Sequence, residues 1–186
     1  PMPGFSAPKY RWLMKHEPEN FAKIRHVMLP KDYVRLRMTG EMVTDMCDAS
    51  GALLLDVGKR QWSAPVVEAC GLANSMLPTL MEGTEISGAL SAYVASFWGL
   101  KIGLPVVAGA GDAAAGAVGA GAIDEGDAFI SLGTSGQYFI TRESYAPSPE
   151  SLIHTFGHCL PRRWFQMAAL LNGASPLGWA ARLLGE

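Results

Sequence analysis

The sequence runs to 186 residues, which suits one large domain or two partial ones and leaves room for a sizeable core. Hydrophobic residues make up 49% and charged residues 17%, values that exclude disordered, collagen-like and coiled-coil classes. Lys and Arg number 15 against 17 Asp and Glu, a net charge of −2 with no block of like sign, so nucleic acid and anionic membrane surfaces are disfavoured as partners.

Cys47, Cys70 and Cys159 are odd in number and far apart, so neither a disulfide framework nor a zinc site is expected, and a reducing cytoplasm fits. The opening Pro1-Met2-Pro3-Gly4 has no initiator methionine and no signal-peptide pattern, and Glu186 falls in or just after a helical pattern, so both ends read as cut.

Residues 6–40 read as helical, with Tyr10, Leu13 and Met14, then Phe21, Ile24 and Met28, near helical spacing. Pro18 and Pro30 start a second and a third helix, and Gly40 ends the series. The polar run 44–51 predicts a turn, 52–57 a short apolar segment, and Ser63 the cap of a helix. Pro78 and Gly83 mark a loop, 91–99 a helix, and 104–108 a short buried strand of the parallel-sheet type.

Between Lys101 and Asp124 the one charge is Asp112, which raises a membrane span on length alone. Six glycines and Pro105 interrupt the run and alanine dominates the rest, so the expectation is a strand, a turn and a closely packed helix over 113–121. The acidic turn 124–127 is the expected boundary. Beyond it 128–132, 136–142, 152–158 and 163–167 predict a β-meander, and 175–184 a final helix.

Asp112 directly follows the expected strand and heads a helix of small side chains, where a carboxylate can accept a proton; the same placement suits a helix cap, and the two roles are compatible. In Ser131-Leu132-Gly133-Thr134-Ser135-Gly136, glycines flank paired hydroxyls. Such a turn can offer N–H and O–H donors to phosphate, or can be an ordinary hairpin turn. It lacks the lysine of a P-loop and the helix of a dinucleotide fingerprint. His154 and His158 would share one face of a strand without further ligands, so packing is expected of them, as of the five tryptophans and nine methionines.

Four stretches, in order, carry a resemblance. Residues 4–16 place a small residue, Lys9 and Trp12 at the offsets of a first signature; 29–41 with 44–51 match a sugar-lining segment; 109–121 match a catalytic-aspartate motif; and 131–136 match a second phosphate loop. The chain resembles the FGGY family of carbohydrate kinases and looks most similar to its xylulokinase branch, over essentially its whole length. The resemblance implies an α/β, actin-like ATPase (ribonuclease-H-like) fold in part. Residues 1–122 would be the end of the first, sugar-binding domain and 123–186 the start of the second, nucleotide-binding domain.

It also implies that phosphate-binding parts on either side are missing, so that the segment alone would not turn over. Its implied function is ATP-dependent phosphorylation of a sugar hydroxyl, D-xylulose to D-xylulose 5-phosphate, with ATP and Mg²⁺ as cofactors and no resident metal site. Asp112 would be the general base and a substrate contact, Met46 a second substrate contact, and Gly133, Thr134, Ser135 and Gly173 the ATP-binding residues. The implied partners are a pentulose and ATP, with no nucleic acid or membrane and with a homodimer left open. Where xylulokinases place asparagine after the base this chain has Ala113, which offers no side-chain donor or acceptor. Another pentulose, a deoxy sugar or a polyol therefore stays open as substrate, as does an inactive actin-like nucleotide-binding homologue, although a filament protein would not be expected to carry Lys9 and Trp12 at that spacing.

Overall fold

Residues 4–185 are described by the computed structural model, so Pro1, Met2, Pro3 and Glu186, on which the reading of cut ends partly rests, lie outside the described residues. The chain divides into a first unit, Pro1–Gly111 with Cys159–Pro161, and a second, Asp112–His158 with Arg162–Glu186.

The first unit opens on α1 (Ser6–His16), α2 (Pro18–Phe21) and α3 (Pro30–Thr39). Pro18 and Pro30 sit in the first turns, where a missing N–H costs nothing. Gly40 ends α3 at φ 85°, its N–H returning to the Leu36 carbonyl at 2.7 Å. The helix starts at Pro18 and Pro30 and the stop at Gly40 follow the sequence reading, but α2 ends at Phe21 and residues 22–29 are turn and irregular chain, so Ile24 and Met28 are not helical despite their spacing. Ala7, Leu54, Val67, Cys70, Leu72 and Leu77 form the core, with Tyr10, Phe21 and Trp62 packed against it. Leu54 at 1% and Val67 at 2% exposure each contribute about 1.5–3 kcal/mol of burial.

The run 44–51, expected to be a turn, is instead the end of β1 (Val43–Asp45) followed by α4 (Met46–Gly51). The turn-forming residues are here capping residues: Asp45 Oδ1 accepts the Asp48 N–H at 2.9 Å. β2 (Leu55–Asp56) and β3 (Gln61–Trp62) make a small hairpin, and α5 (Ala64–Ala69) starts after Ser63, which holds the cap position without a side-chain bond. The loop expected between Pro78 and Gly83 contains β4 (Thr79–Met81), which pairs in parallel with β1.

The helix over 91–99 is α6 (Ala92–Trp98), capped by Ser91 and closed by Gly99 at φ 68°. The strand expected over 104–108 is β6 (Pro105–Val107), antiparallel to β5 (Ile86–Ala89) and with Val107 48% exposed. A continuous apolar run signals burial on both faces, yet among the described residues β6 has a single partner strand, in an antiparallel two-stranded ladder, so neither the burial nor the parallel pairing holds.

In the second unit α7 (Asp112–Gly119) is followed by β7 (Ala128–Leu132), β8 (Gly136–Arg142), β9 (His154–Gly157), β10 (Trp164–Leu170) and α8 (Ser175–Leu184). The sheet is antiparallel in the order β7-β8-β10-β9, not the expected meander, because β9 takes the edge and β10 returns between it and β8. Phe139, 1% exposed, stacks on Phe129 at 4.9 Å and on Phe165 at 4.5 Å, and the fully buried His158 meets Phe139 and Phe165 edge-on. His154 stacks on Phe156, so both histidines pack in the aromatic layer.

Trp12, Trp98 and Trp179 are at least half exposed, against the expected core packing; helical spacing identifies a face but not whether that face is covered. Among the described residues, no helix is long and apolar enough to cross a membrane.

Candidate sugar and phosphate sites

The first unit holds a compact ionic network. Lys31 Nζ, one residue into α3, lies 3.0 Å from Asp32 Oδ1 and 3.6 Å from Asp48 Oδ2 and pairs closely with Asp45 Oδ2. The Asp32 and Asp45 side chains are fully buried. Arg35, on the Asp32 side of α3, donates from Nη2 to Asp32 Oδ1 at 2.8 Å and to the Val43 carbonyl. Two cations thus face three carboxylates, a local charge of −1.

Burial alone would lower the Lys31 pKa, but the Asp45 and Asp32 carboxylates outweigh it and hold the ammonium above its usual value. Burial pushes Asp48 up, opposed by Lys31 and reinforced by Asp45 and Asp32. Burial also raises the Cys47 thiol, with Asp45 adding to the effect, so this cysteine is unsuited to act as a thiolate. Asp32 Oδ2 and Thr44 Oγ1 have no protein hydrogen-bond partner and both line a cavity of about 20 Å³, room for a single water. Met46, half-buried, opens α4 between Asp45 and this network's Asp48.

The chain leaves β6 through Ala108, whose N–H bonds to the Glu85 carbonyl, and Gly109, whose N–H bonds to the Gly83 carbonyl, each at 2.9 Å. Gly109 has φ 88°, a conformation suited to glycine, and a Cβ on Gly83 would lie 2.5 Å from the Gly109 oxygen, so Gly109 is favoured by its backbone angle and Gly83 is required by the close approach. Asp112 then opens α7 and is exposed, its Oδ1 accepting the Ala113 N–H at 2.8 Å. A carboxylate in the first turn is favoured by the helix dipole, and the solvent-facing position leaves it open to a ligand hydroxyl.

In the second unit the structure brings together two motifs 38 residues apart. The β7–β8 turn carries Gly133, Thr134 and Ser135, all exposed. The Gly173 N–H donates to the Thr134 carbonyl and the Ala174 N–H to the Gly133 carbonyl, both at 2.8 Å. Ser175 Oγ donates to the Thr134 carbonyl at 3.2 Å and Ser135 Oγ to the Leu171 carbonyl at 3.4 Å. A Cβ on Gly173 would fall 2.4 Å from the Ser135 carbonyl carbon, so only glycine allows this approach. Beside the pair, Asn172, Ser175, Pro176, Trp179 and Arg182 line an open groove of about 420 Å³.

Gly133, Thr134, Ser135 and Gly173 are therefore one local site, whereas Met46 belongs to the first unit and Asp112 to the second. The ionic network was not singled out in the sequence; its signal was the spacing of Lys31, Asp32 and Arg35 in a chain with only 17% charged residues. Among the described residues no group of three or more His, Cys, Asp or Glu is placed to hold a metal ion.

The N-terminal domain of the FGGY family of carbohydrate kinases matches residues 1–119. The chain is 54% identical to the xylulose kinase of Escherichia coli (strain K12) over 184 residues, covering 99% of this chain and 38% of that protein. It is 49% identical to the xylulose kinase of Klebsiella pneumoniae over the same shares. A crystal structure described as a xyloylose kinase from Brucella ovis superposes with a TM-score of 0.95 at 47% identity, again over 99% of this chain and 38% of that one. The chain thus spans somewhat over a third of the length of these relatives, and it shares with them the α/β, actin-like fold expected from the resemblance. With the matched domain covering well over half of its residues and the likeness running along almost all of it, the chain belongs to the FGGY family of carbohydrate kinases.

Proposed function

We propose that this chain forms part of a kinase that transfers the γ-phosphoryl group of ATP to a hydroxyl of D-xylulose, giving D-xylulose 5-phosphate. The observation that carries the reading is the packing of Gly173 against the 133–135 turn, which builds a small uncharged surface with exposed Thr134 and Ser135, residues whose hydroxyls suit phosphate oxygens. The names of the similar proteins support the sugar. Gly133, Thr134, Ser135 and Gly173 hold the nucleotide phosphates, and Met46 contacts the sugar.

Asp112 is the general base. Phosphoryl transfer is mostly positioning and charge stabilisation, and an exposed carboxylate at a helix start can orient the attacking hydroxyl and take its proton late. Mg²⁺ enters with ATP as part of the co-substrate and lowers the charge repulsion on the phosphates. Residues 1–122 serve as the end of the sugar-binding domain and 123–186 as the start of the nucleotide-binding domain, a division supported by the family match over 1–119. The cytoplasm as location is supported by three free, buried cysteines, and a homodimer is the assembly to test by sedimentation.

The test is Asp112→Asn in the full-length protein, followed by sugar-dependent ADP release. Turnover should fall by about 10²–10⁴ with ATP binding retained. More than about a tenth of normal turnover would reduce Asp112 to a helix-end residue. A second reading, phosphorylation of another pentulose or a polyol, is favoured by Ala113, which leaves one sugar hydroxyl without a side-chain partner at that position.

A further inference from the structure

The buried guanidinium of Arg35, 7% exposed, ties three elements of the first unit together. Nη2 donates to Asp32 Oδ1 on α3 and to the Val43 carbonyl of β1, while Nη1 donates to the Ala108 carbonyl at the end of β6. Lys31 Nζ lies 3.0 Å from the same Asp32 oxygen but is shared with Asp45 and Asp48, so the two cations neutralise the cluster together. What Arg35 alone contributes is the two main-chain bonds. A planar fork can hold several acceptors in fixed directions at once, which a compact ammonium cannot.

From Ala108 the chain passes through Gly109, Ala110 and Gly111 directly into Asp112. Two of these three residues are glycines, one of them at φ 88°, so the segment has little torsional stiffness of its own. Its direction is set by its anchors: the Glu85 carbonyl on the Ala108 N–H, the Gly83 carbonyl on the Gly109 N–H, and Arg35 on the Ala108 carbonyl. Of these, only Arg35 links the segment to both α3 and β1 through a side chain.

We infer that Arg35 is a positioning residue for Asp112: by fixing the Ala108 carbonyl it fixes the direction in which the 109–111 turn presents the Asp112 carboxylate. This rests on the reading of Asp112 as general base. A misplacement of about 1 Å at a reacting group can cost on the order of 10²-fold in rate without altering ground-state binding. Loss of the guanidinium should therefore appear in kcat rather than in KM.

The test uses the full-length protein with Arg35→Lys, the double variant Asp32→Leu with Arg35→Met, and Asp112→Asn in parallel. Both Arg35 variants should fold and should lose about 10- to 100-fold in kcat, with KM for D-xylulose and for ATP within about threefold of the parent. A merely structural role would lower the melting temperature and leave kcat per folded molecule unchanged, and that result overturns the inference. So does a rise in either KM at unchanged kcat, and so does failure of both variants to fold, which would make the guanidinium a requirement of the fold alone. If Asp112→Asn keeps its activity, the general-base reading fails and this inference with it; if Asp112→Asn is inactive while the Arg35 variants keep full kcat, only the inference fails.

Discussion

Replacing Gly173 by alanine tests whether the two loops of the second unit act as one phosphate site. The added Cβ would lie 2.4 Å from the Ser135 carbonyl carbon, 2.5 Å from its oxygen and 2.7 Å from the Gly133 oxygen, all main-chain atoms that cannot swing aside. Restoring the shortest of these to an ordinary contact of 3.4 Å requires the loops to part by about 1 Å. The bonds from Gly173 to Thr134 and from Ala174 to Gly133, now 2.8 Å, would open to about 3.8 Å and cease to be hydrogen bonds. Two such bonds contribute about 1–3 kcal/mol net. At 1.4 kcal/mol per tenfold, affinity for ATP should fall by about five- to 150-fold if the separated loops must be drawn together on binding. The assay is ADP release coupled to NADH oxidation, with ATP varied at saturating D-xylulose and then the reverse, alongside a thermal melt. An ATP KM within twofold of the parent in a folded variant, or a rise confined to the sugar KM, would refute the assignment of these loops to the nucleotide.

Ala113→Asn decides between sugars: on D-xylulose a gained neutral hydrogen bond of about 0.5–1.5 kcal/mol should lower KM, whereas lower kcat/KM on both D-xylulose and D-ribulose, with glycerol preferred throughout, would remove the pentulose assignment. Lys31 is held protonated by Asp45 and Asp32, against the opposing effect of burial, so its folded pKa lies above its unfolded one. The stability it contributes is then fully present below about pH 10.5 and is lost as pH rises through the higher folded value. Lys31→Met should therefore cost about 2–3 kcal/mol at pH 7, less than for a fully buried pair because Lys31 is partly solvated, and the cost should shrink in strongly alkaline buffer. Urea melts from pH 7 to 11 measure this, and a cost that stays constant across that range would contradict it.

The second unit was the more legible half in the sequence. β7, β8 and α8 have the bounds that alternation, the glycine turn and helical spacing predict, because each is decided by local signals. The sheet order was not legible, since nothing in residues 143–153 states that the connection crosses to the far edge. In the first unit β1 and α4 were hidden by Thr44, Asp45, Asp48 and Ser50, residue types that serve turns and caps alike; which role wins is settled by the parallel partner β4, 36 residues away in register. β6 misled for the converse reason: its apolar residues signal two-sided burial, but among the described residues its strand partner is β5 alone. The 133–135 turn was visible as a motif, whereas Gly173 came only from the family resemblance, and the reason it must be glycine lies in a main-chain approach that no local pattern encodes.

The two candidate sites are built on opposite electrostatic principles, and each principle suits its proposed ligand. Around Met46 a neutral polyol would meet a network of two cations and three carboxylates whose deepest members, Asp32 and Asp45, are fully buried and already paired. Buried ion pairs of this kind add little net stability, because desolvation consumes much of the Coulomb gain; what they supply is fixed direction, since each partner is held at a defined distance. A sugar, recognised through hydroxyl directions more than through charge, benefits from such a frame. The 131–136 and 172–175 segments contain no charged residue at all, and their shape comes from main-chain bonds and glycine contacts. A polyanion bound there would be met by amide and hydroxyl dipoles. Fixed lysines in that turn would hold a product's phosphates as firmly as a substrate's, whereas neutral donors would bind the oxygens by direction more than by charge.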